Sequence, residues 1–177
     1  MLYELRVELD GIEPHIWRRI RVPSHSTLKR LHEIIQIAFG WSDAHLHMFR
    51  IAGKEYSELS PEFDARVLDE SKITLEEIFG GGRKSFRYEY DMGDSWVHII
   101  TLKKQVESKA TRARCIAGAR AAPPEDCGSI PGYYDFLVIM SDPDHEEHEE
   151  KLEWIGGYFD PNEFDMADVN TELRHLR

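Results

Sequence analysis

Five side chains of the kinds that hold metal ions or move protons fall in two short stretches of the sequence. In "GWSDAHLHMF", residues 40–49, two histidines lie on either side of one leucine. In "YDMGDSWVH", residues 90–98, two aspartates flank a turn and a histidine follows. Imidazole and carboxylate groups together suit a divalent cation or a general acid–base pair. The candidate metal ligands are His45, His47, Asp91, Asp94 and His98.

Both stretches also have an ordinary structural interpretation. If the first stretch is a strand, His45 and His47 point to the same face, roughly 7 Å apart, because side chains alternate with period two. Histidine is also a common half-buried strand residue with one hydrogen-bonded nitrogen. The second stretch has the composition of a turn whose aspartates bond nearby backbone amides. The residues alone leave both interpretations open.

A further acidic pair follows two prolines in "PPED". Glu125 and Asp126 are the weak catalytic candidates, since a carboxylate beside a metal ion can act as a general base. The prolines also make this segment a rigid turn, which needs no chemistry. Cys115 and Cys127 are 12 residues apart with no C-x-x-C motif, so they indicate neither a disulfide framework nor a complete zinc site.

A possible binding surface is carried by tryptophan and arginine. Trp17, Arg19 and Arg21 share one parity of "HIWRRIRV", an arrangement that can stack on and neutralise a single-stranded nucleic acid. An exposed sheet edge or a surface for a protein partner explains these residues equally well. Trp41 and Trp96 complete the predicted binding surface.

The elements that position these residues begin with strands and end with helices. "LYELRVEL" alternates apolar and polar residues, and "HIWRRIRV" follows as its partner strand. A helix capped by Ser26 or Thr27 and closed by Gly40 comes next, and a capping box predicts a second helix from Thr74. "SFRYEYD" and "WVHIITLKK" form a central hairpin. The segment from Gln105 to Ser129 gives a weak signal.

The C-terminal third is predicted to be helical. "GYYDFLVIM" is apolar, and Asp144 with Glu147 forms a capping-box pattern that predicts a helix start. Asp160-Pro161 predicts the start of another helix. The expected fold class is α+β, with a mainly antiparallel sheet from the N-terminal and central hairpins and helices packed on it. We expect one domain over residues 1–177.

Composition and charge exclude several classes of protein. Of the 177 residues, 41% are hydrophobic, which excludes a disordered chain, and no apolar run is long enough to span a membrane. Without a signal peptide, a cytoplasmic protein is expected. The net charge is -11, and residues 141–177 hold 12 acidic against three basic residues. This acidity weakens the case for nucleic-acid binding without excluding a local basic patch.

Four blocks of the sequence together resemble the plasmid pRiA ORF-three-like family. They are "IWRRIRVPSHSTLKRLHEIIQIAFGWSDAHLHMF", "YEYDMGDSWVH", "CIAGARAAPPEDCGSIPGY" and "DPDHEEHEEKLEWIGGYFDPNEFDMADVN", and the resemblance runs from about Tyr3 to Leu173. It implies an α+β domain without an established activity. Ser129 and Ala122 depart from the family's pattern, which has a second glycine and often a cysteine at these places.

Three functions remain open from the sequence. The first is a non-enzymatic binding or accessory module with an unknown protein partner, associated with a mobile element. The second is a metal-dependent hydrolase, conceivably directed at phosphodiesters, with a divalent ion as its cofactor. The third is a protein that binds single-stranded nucleic acid. The label of transposon resolvase that some family members carry finds no support, because neither a serine nor a tyrosine recombinase constellation is present.

Overall fold

One eight-stranded sheet organises the computed structural model, which describes residues 1–176. The strands are β1 Leu2–Leu9, β2 Trp17–Pro23, β3 His47–Ile51, β4 Lys54–Ser57, β5 Leu68–Asp69, β6 Ser85–Tyr90, β7 Trp96–Val106 and β8 Arg114–Ala119. Their order across the sheet is β5-β4-β3-β6-β7-β1-β2-β8. The β4–β5 pair is parallel and the other neighbouring pairs are antiparallel. The predicted α+β class with a mainly antiparallel sheet is confirmed.

In the described part of the chain, five α-helices accompany the sheet. They are α1 Leu28–Phe39, α2 Leu75–Gly80, α3 Ser129–Ser141, α4 His148–Trp154 and α5 Met166–His175, with a 3₁₀ turn at Glu70–Lys72. Three of these helices follow the last strand, which confirms the helical C-terminal third. Within residues 1–176, none of the helices has the length and apolar character needed to cross a bilayer.

Helix α1 begins and ends where local sequence signals place it. The Thr27 side chain accepts a hydrogen bond from the Arg30 backbone N–H, and this satisfies one of the amides that a helix start leaves unpaired. At the other end, Gly40 has a φ of 73°, the left-handed conformation that glycine adopts without steric cost. Leu31 and Ile35, both fully buried, are part of the face that α1 packs against the sheet.

The two sides of β1 and β2 differ in polarity, as their alternation predicts. Leu5, Val7 and Ile20 are fully buried in the core. The opposite side carries charged residues in register, with Glu4 opposite Arg21. The core therefore lies on the side of the sheet that the apolar positions of β1 and β2 face.

Strand β8 lies in the segment where the sequence signal is weak. It forms the sheet edge by pairing antiparallel with β2, and Asn170 of α5 hydrogen-bonds both the backbone N–H and the carbonyl oxygen of Cys115. Arg18 of β2 is 2% exposed and donates to the carbonyl oxygens of Ala38 and Ala119. These hydrogen bonds connect α5 to β8 and the end of α1 to β2.

Two predicted helix starts in the C-terminal region are wrong. Helix α4 begins at His148 and has no side-chain cap, so Asp144 does not form a capping box with Glu147. The segment after Asp160 is a turn, and α5 begins only after Asp165, whose side chain accepts from two backbone N–H groups. In the first place Asp142 accepts from the Asp144 backbone N–H, and in the second Asp160 accepts from the Asn162 backbone N–H, so each aspartate holds a turn and not a helix start.

Candidate metal centre

Three loops meet at one end of the sheet. Strands β3, β6 and β7 are neighbours, and their antiparallel pairing brings the start of β3, the end of β6 and the start of β7 together. The loop between β8 and α3 reaches the same place, since Trp41 Nε1 before β3 donates to the Pro123 carbonyl oxygen at 3.0 Å. The residues at this end come from distant parts of the sequence.

His45 lies at the centre of this loop cluster, surrounded by carboxylates. Its Nε2 atom is 3.1 Å from an Asp126 oxygen. Oxygens of Glu125 and Asp91 are 3.6 and 3.7 Å from the same nitrogen. Although Nε2 is buried, it forms no hydrogen bond of acceptable geometry within the described chain. An imidazole nitrogen thus faces three carboxylate oxygens without being committed to any of them.

Glu125 is held in place by two donors on its far oxygen. Its Oε1 accepts from the Ser42 backbone N–H at 2.7 Å and from the Tyr90 hydroxyl at 3.0 Å. The Tyr90 ring stacks on Trp41 with ring centres 4.9 Å apart. Burial and the bond to Glu125 raise the pKa of Tyr90, so its hydroxyl stays protonated as a donor. These contacts leave the other oxygen of Glu125 facing His45.

Asp91 is fixed in a similar way by the turn between β6 and β7. Its Oδ1 accepts from the backbone N–H groups of Gly93 at 2.9 Å and Asp94 at 3.3 Å. The other oxygen, Oδ2, is the one that faces His45. Asp94 lies further out, where its carboxylate accepts from the Gly128 backbone N–H at 3.0 Å. The turn interpretation and the ligand interpretation of Asp91 are therefore compatible, because each uses a different oxygen.

The spacing of His45, Asp91 and Asp126 is close to that of ligands on a single ion, and Glu125 lies beside this group without belonging to it. Metal–ligand bonds of about 2.0–2.2 Å at tetrahedral or octahedral angles separate neighbouring ligand atoms by about 2.8–3.6 Å. The nitrogen of His45 lies 3.1–3.7 Å from the three carboxylate oxygens. Ligand atoms of His45, Asp91 and Asp126 all lie within 4.8 Å of one another. One imidazole with carboxylates is a donor set for zinc or manganese.

A second group of potential ligands, His32, Asp43 and His47, is explained by hydrogen bonds. The two nitrogens of His32 lie 2.8 Å from the Tyr88 hydroxyl and 2.8 Å from Asp43. His47 Nε2 lies 2.7 Å from Glu70, and the two imidazole rings stack at 3.5 Å. Burial, followed by the charge of His47, lowers the pKa of His32 to about 3, so this ring is neutral. This cluster is a satisfied polar network in the core.

The structure divides the five predicted ligands among separate places. His45 and Asp91 meet, while His47 belongs to the buried network. The expectation that His45 and His47 share a strand face is wrong, because β3 begins at His47 and His45 lies in the preceding loop. His98 is fully buried, with Nδ1 2.9 Å from the Trp96 carbonyl oxygen, and burial lowers its pKa to about 3. His98 is therefore a neutral core residue.

Glu125 and Asp126, the predicted catalytic pair, both lie beside His45. Sequence reasoning missed the two groups behind Glu125, the Ser42 amide and the Tyr90 hydroxyl. Alternation along β6 predicted Tyr90 only as a strand residue. The available signal was its position next to Asp91, at the end of the strand that leads into the turn.

The predicted binding surface needs correction at its tryptophans. Trp41 and Trp96 are 7% and 1% exposed, because both rings pack into the core, and neither offers an exposed face. Trp17 remains partly exposed on β2, with the Arg6 guanidinium 4.2 Å above its ring.

The two arginines of this predicted surface are paired with an acid. Arg19 and Arg21 lie 3.3 and 3.2 Å from the carboxylate of Glu4 on the neighbouring strand. Because one carboxylate faces both guanidinium groups, part of the positive charge that a nucleic-acid phosphate needs is already compensated.

Neither cysteine has the character of a reactive thiolate. Cys115 is buried and Cys127 is partly buried, and both thiols are free. Burial, followed by the nearby charge of Asp94, raises the pKa of Cys127 to about 12. A thiol in that state is protonated at neutral pH and is a poor nucleophile.

Comparison with known proteins gives one consistent family. The family model described as plasmid pRiA4b ORF-3-like protein matches residues 1–168. The uncharacterized protein y4hQ of Sinorhizobium fredii is 36% identical over 168 residues, which cover 94% of this chain and 84% of the relative. The crystal structure of MM3350, a protein of unknown function from Methanosarcina mazei Go1, is similar with a TM-score of 0.86 and 36% identity, covering 95% of this chain and 97% of that one. The chain belongs to the plasmid pRiA4b ORF-3-like protein family.

Proposed function

We propose that this protein is a metal-binding module and that its divalent ion lies among His45, Asp91, Glu125 and Asp126. The observation that carries the proposal is the buried His45 Nε2, which has no hydrogen bond but faces three carboxylate oxygens at 3.1–3.7 Å. Buried polar atoms normally have a hydrogen-bond partner, and a nitrogen that faces carboxylate oxygens without such a bond has the arrangement of a metal ligand.

Charge balance supports an ion in preference to a proton. Three carboxylates around one imidazole carry a charge of -2 even if His45 is protonated. The ligand oxygens of Asp91 and Asp126 lie within 4.8 Å of each other and repel, and a divalent cation offsets that repulsion. The hydrogen bonds on the far oxygens of Asp91 and Glu125 orient these two ligands, as outer-shell contacts do in metal sites.

Metal-dependent hydrolysis is the second candidate function, favoured by the exposure of Asp126. This side chain is 71% exposed, whereas Asp91 and Glu125 are 11% and 20% exposed, so the centre is open to solvent on one side. Catalytic metal sites keep such an open position for water or substrate. A bound ion there would lower the pKa of a coordinated water, and Asp126 is placed to accept its proton.

The test is metal content of the untagged protein, purified without chelator, by elemental analysis. We expect near-stoichiometric zinc or manganese in the parent and at least a tenfold loss in His45→Ala. His15→Ala is the matched control, because His15 also lies 3.3–3.4 Å from two carboxylates but is half exposed on the surface. Equal metal content in the two variants contradicts the proposal.

The second candidate is tested with bis(p-nitrophenyl) phosphate and added manganese. Metal-dependent cleavage that disappears in His45→Ala and in the chelated parent supports a hydrolase. A metal-loaded protein that releases no nitrophenol excludes phosphodiester hydrolysis of this model substrate and leaves the binding module as the function.

A further inference from the structure

We propose that a cavity between α1, the β7–β8 loop and α5 binds a small organic anion, a carboxylate or phosphate group on an apolar body. The cavity has a volume of about 480 Å³ and is lined by eleven of residues 1–176. It shares no lining residue with the candidate metal centre. The proposed anion site and the proposed metal centre can therefore be tested independently.

The inner wall of the cavity is apolar. Ile34 of α1 and Leu173 of α5 are 1% and 2% exposed, and the partly buried Ala113 and Leu176 pack beside them. A ligand with an apolar body gains hydrophobic contact on this wall.

The rim of the cavity carries two arginines, a histidine and hydroxyl residues. His25, Arg30 and Arg112 line it together with the hydroxyl residues Ser26 and Thr111. Within residues 1–176, none of the residues that line the cavity is acidic, although the chain contains 33 Asp and Glu and has a net charge of -11. Concentration of one sign of charge in a cleft attracts ligands of the opposite sign.

A neighbouring cavity shows that this bias is local. The space between the end of α1 and α5, of about 470 Å³, is lined by four acidic residues: Glu163, Asp165, Asp168 and Glu172. The two cavities have similar volumes but opposite electrostatic character. An anion is therefore directed to the cationic cavity and repelled from its neighbour.

Arg112 retains the donor capacity that an anion needs. Arg112 Nη1 donates to the Arg174 carbonyl oxygen at 3.2 Å, which uses one of its five N–H donors. Arg30 Nη1 lies 2.8 Å from Glu33, and both of these side chains are about one third exposed. A planar guanidinium matches carboxylate and phosphate oxygens in pairs, so Arg112 supplies the main contact with the ligand.

The experiment is calorimetric titration of the chelator-treated protein with phenyl phosphate, phenylacetate and benzyl alcohol. Chelator treatment removes any ion from the centre at His45, so phosphate binding to a metal cannot imitate binding in the cavity. We expect both anions to bind and the neutral alcohol to bind at least tenfold more weakly, and we expect anion binding to weaken as salt is raised. The ratio of the two anion affinities decides between a phosphate and a carboxylate ligand.

Arg112→Gln and Arg66→Gln are the matched pair of variants. Both remove one guanidinium from an exposed loop, but Arg66 is remote from the cavity lining, 89% exposed and paired with Asp64. We expect at least a tenfold loss of phenyl phosphate affinity in Arg112→Gln and parent affinity in Arg66→Gln. Equal affinities in the two variants, or binding of benzyl alcohol as tight as that of the anions, overturn the proposal.

Discussion

Replacement of Asp91 by asparagine separates the structural role of this residue from its proposed role as a ligand. The Oδ1 atom of asparagine can accept the same two backbone N–H groups, from Gly93 and Asp94, that hold the turn between β6 and β7. The substitution removes the negative charge that faces His45. Loss of the charge with retention of the turn predicts opposite effects in the metal-free and metal-bound protein.

In the metal-free protein, the substitution relieves repulsion between acids. Ligand oxygens of Asp91 and Asp126 lie within 4.8 Å of each other. Two unit charges at that distance repel by about 0.9 kcal/mol in water and about 3.5 kcal/mol at a dielectric constant of about 20. Because Asp126 is 71% exposed, the lower value applies. We expect Asp91→Asn to equal the parent or to gain up to about 1 kcal/mol, a rise in Tm of about 2–4 °C.

In the presence of metal, the order of stabilities reverses. An ion present at about 100 times its Kd stabilises the native parent by about 2.7 kcal/mol. If Asp91→Asn weakens binding about 100-fold, the same concentration stabilises the variant by only about 0.4 kcal/mol. The parent then unfolds at the higher temperature, although it does not do so in chelator.

The assay is scanning calorimetry of both proteins in EDTA and in excess manganese or zinc. Asp91→Ala is the control, since alanine loses the turn hydrogen bonds as well as the charge and should lower Tm under both conditions. The reasoning is refuted if Asp91→Asn is less stable than the parent by the same amount with and without metal. That result would make Asp91 a turn residue and nothing more.

Two further predictions concern the core. A Cβ atom at Gly118 would lie 2.8 Å from both Cδ1 and Cζ of Phe164, so Gly118→Ala should lower the free energy of unfolding by about 1–3 kcal/mol. Urea denaturation measures this loss, and Phe164→Ala in the same chain should relieve it; additive losses would contradict the clash. Because the pKa of His98 falls from 6.5 in the unfolded chain to about 3, its contribution to stability is present above pH 6.5 and is lost as pH falls toward 3. Below about pH 6, this residue should therefore lower the free energy of unfolding by about 1.4 kcal/mol for each unit that the pH falls. His98→Asn should make this decline shallower. Urea denaturation of both proteins at pH 7 and pH 5 tests the prediction.

Much of the fold was predictable because its signals are local. The cap at Thr27 and the glycine at Gly40 bound α1 as expected, and the capping box between Thr74 and Glu77 starts α2. Alternation in β1 identified its buried face. Each of these signals depends on contacts between residues that are close in the sequence. A short stretch of sequence is therefore enough to predict these helix ends and this buried strand face.

The elements that the sequence did not predict depend on distant partners. Strand β8 has little periodicity of its own and is defined by its pairing with β2 and by Asn170 of α5. Strand β5 and the 3₁₀ turn lie in a segment for which the sequence predicts no element, where Glu70 is 1% exposed and bonds His47. A buried glutamate cannot be recognised from sequence until its partner is placed beside it.

The residues of the candidate site could also be predicted only in part from the sequence. The sequence identified His45, Asp91, Glu125 and Asp126 as chemically competent residues. It could not separate them from His47, because the difference depends on the residue at which β3 begins. A strand that started two residues earlier would have placed both imidazoles on one face.

His45 and His47 contact their acidic neighbours in different ways. The contact of His47 is that of a hydrogen bond, and those of His45 are those expected between ligands of a metal ion. His47 is joined to Glu70 by one contact of 2.7 Å, the length of a charge-assisted hydrogen bond, and the bond commits the nitrogen to one oxygen. His45 Nε2 instead lies at three longer and similar distances, 3.1, 3.6 and 3.7 Å, from oxygens of three different side chains. A proton shared by two atoms favours one short contact between them. Two ligand atoms on a common ion are further apart, because each is bonded to the ion and the two bonds form a wide angle. The second pattern is the one around His45. It is the physical reason for proposing an ion at that position, whereas the single short contact of His47 is a hydrogen bond.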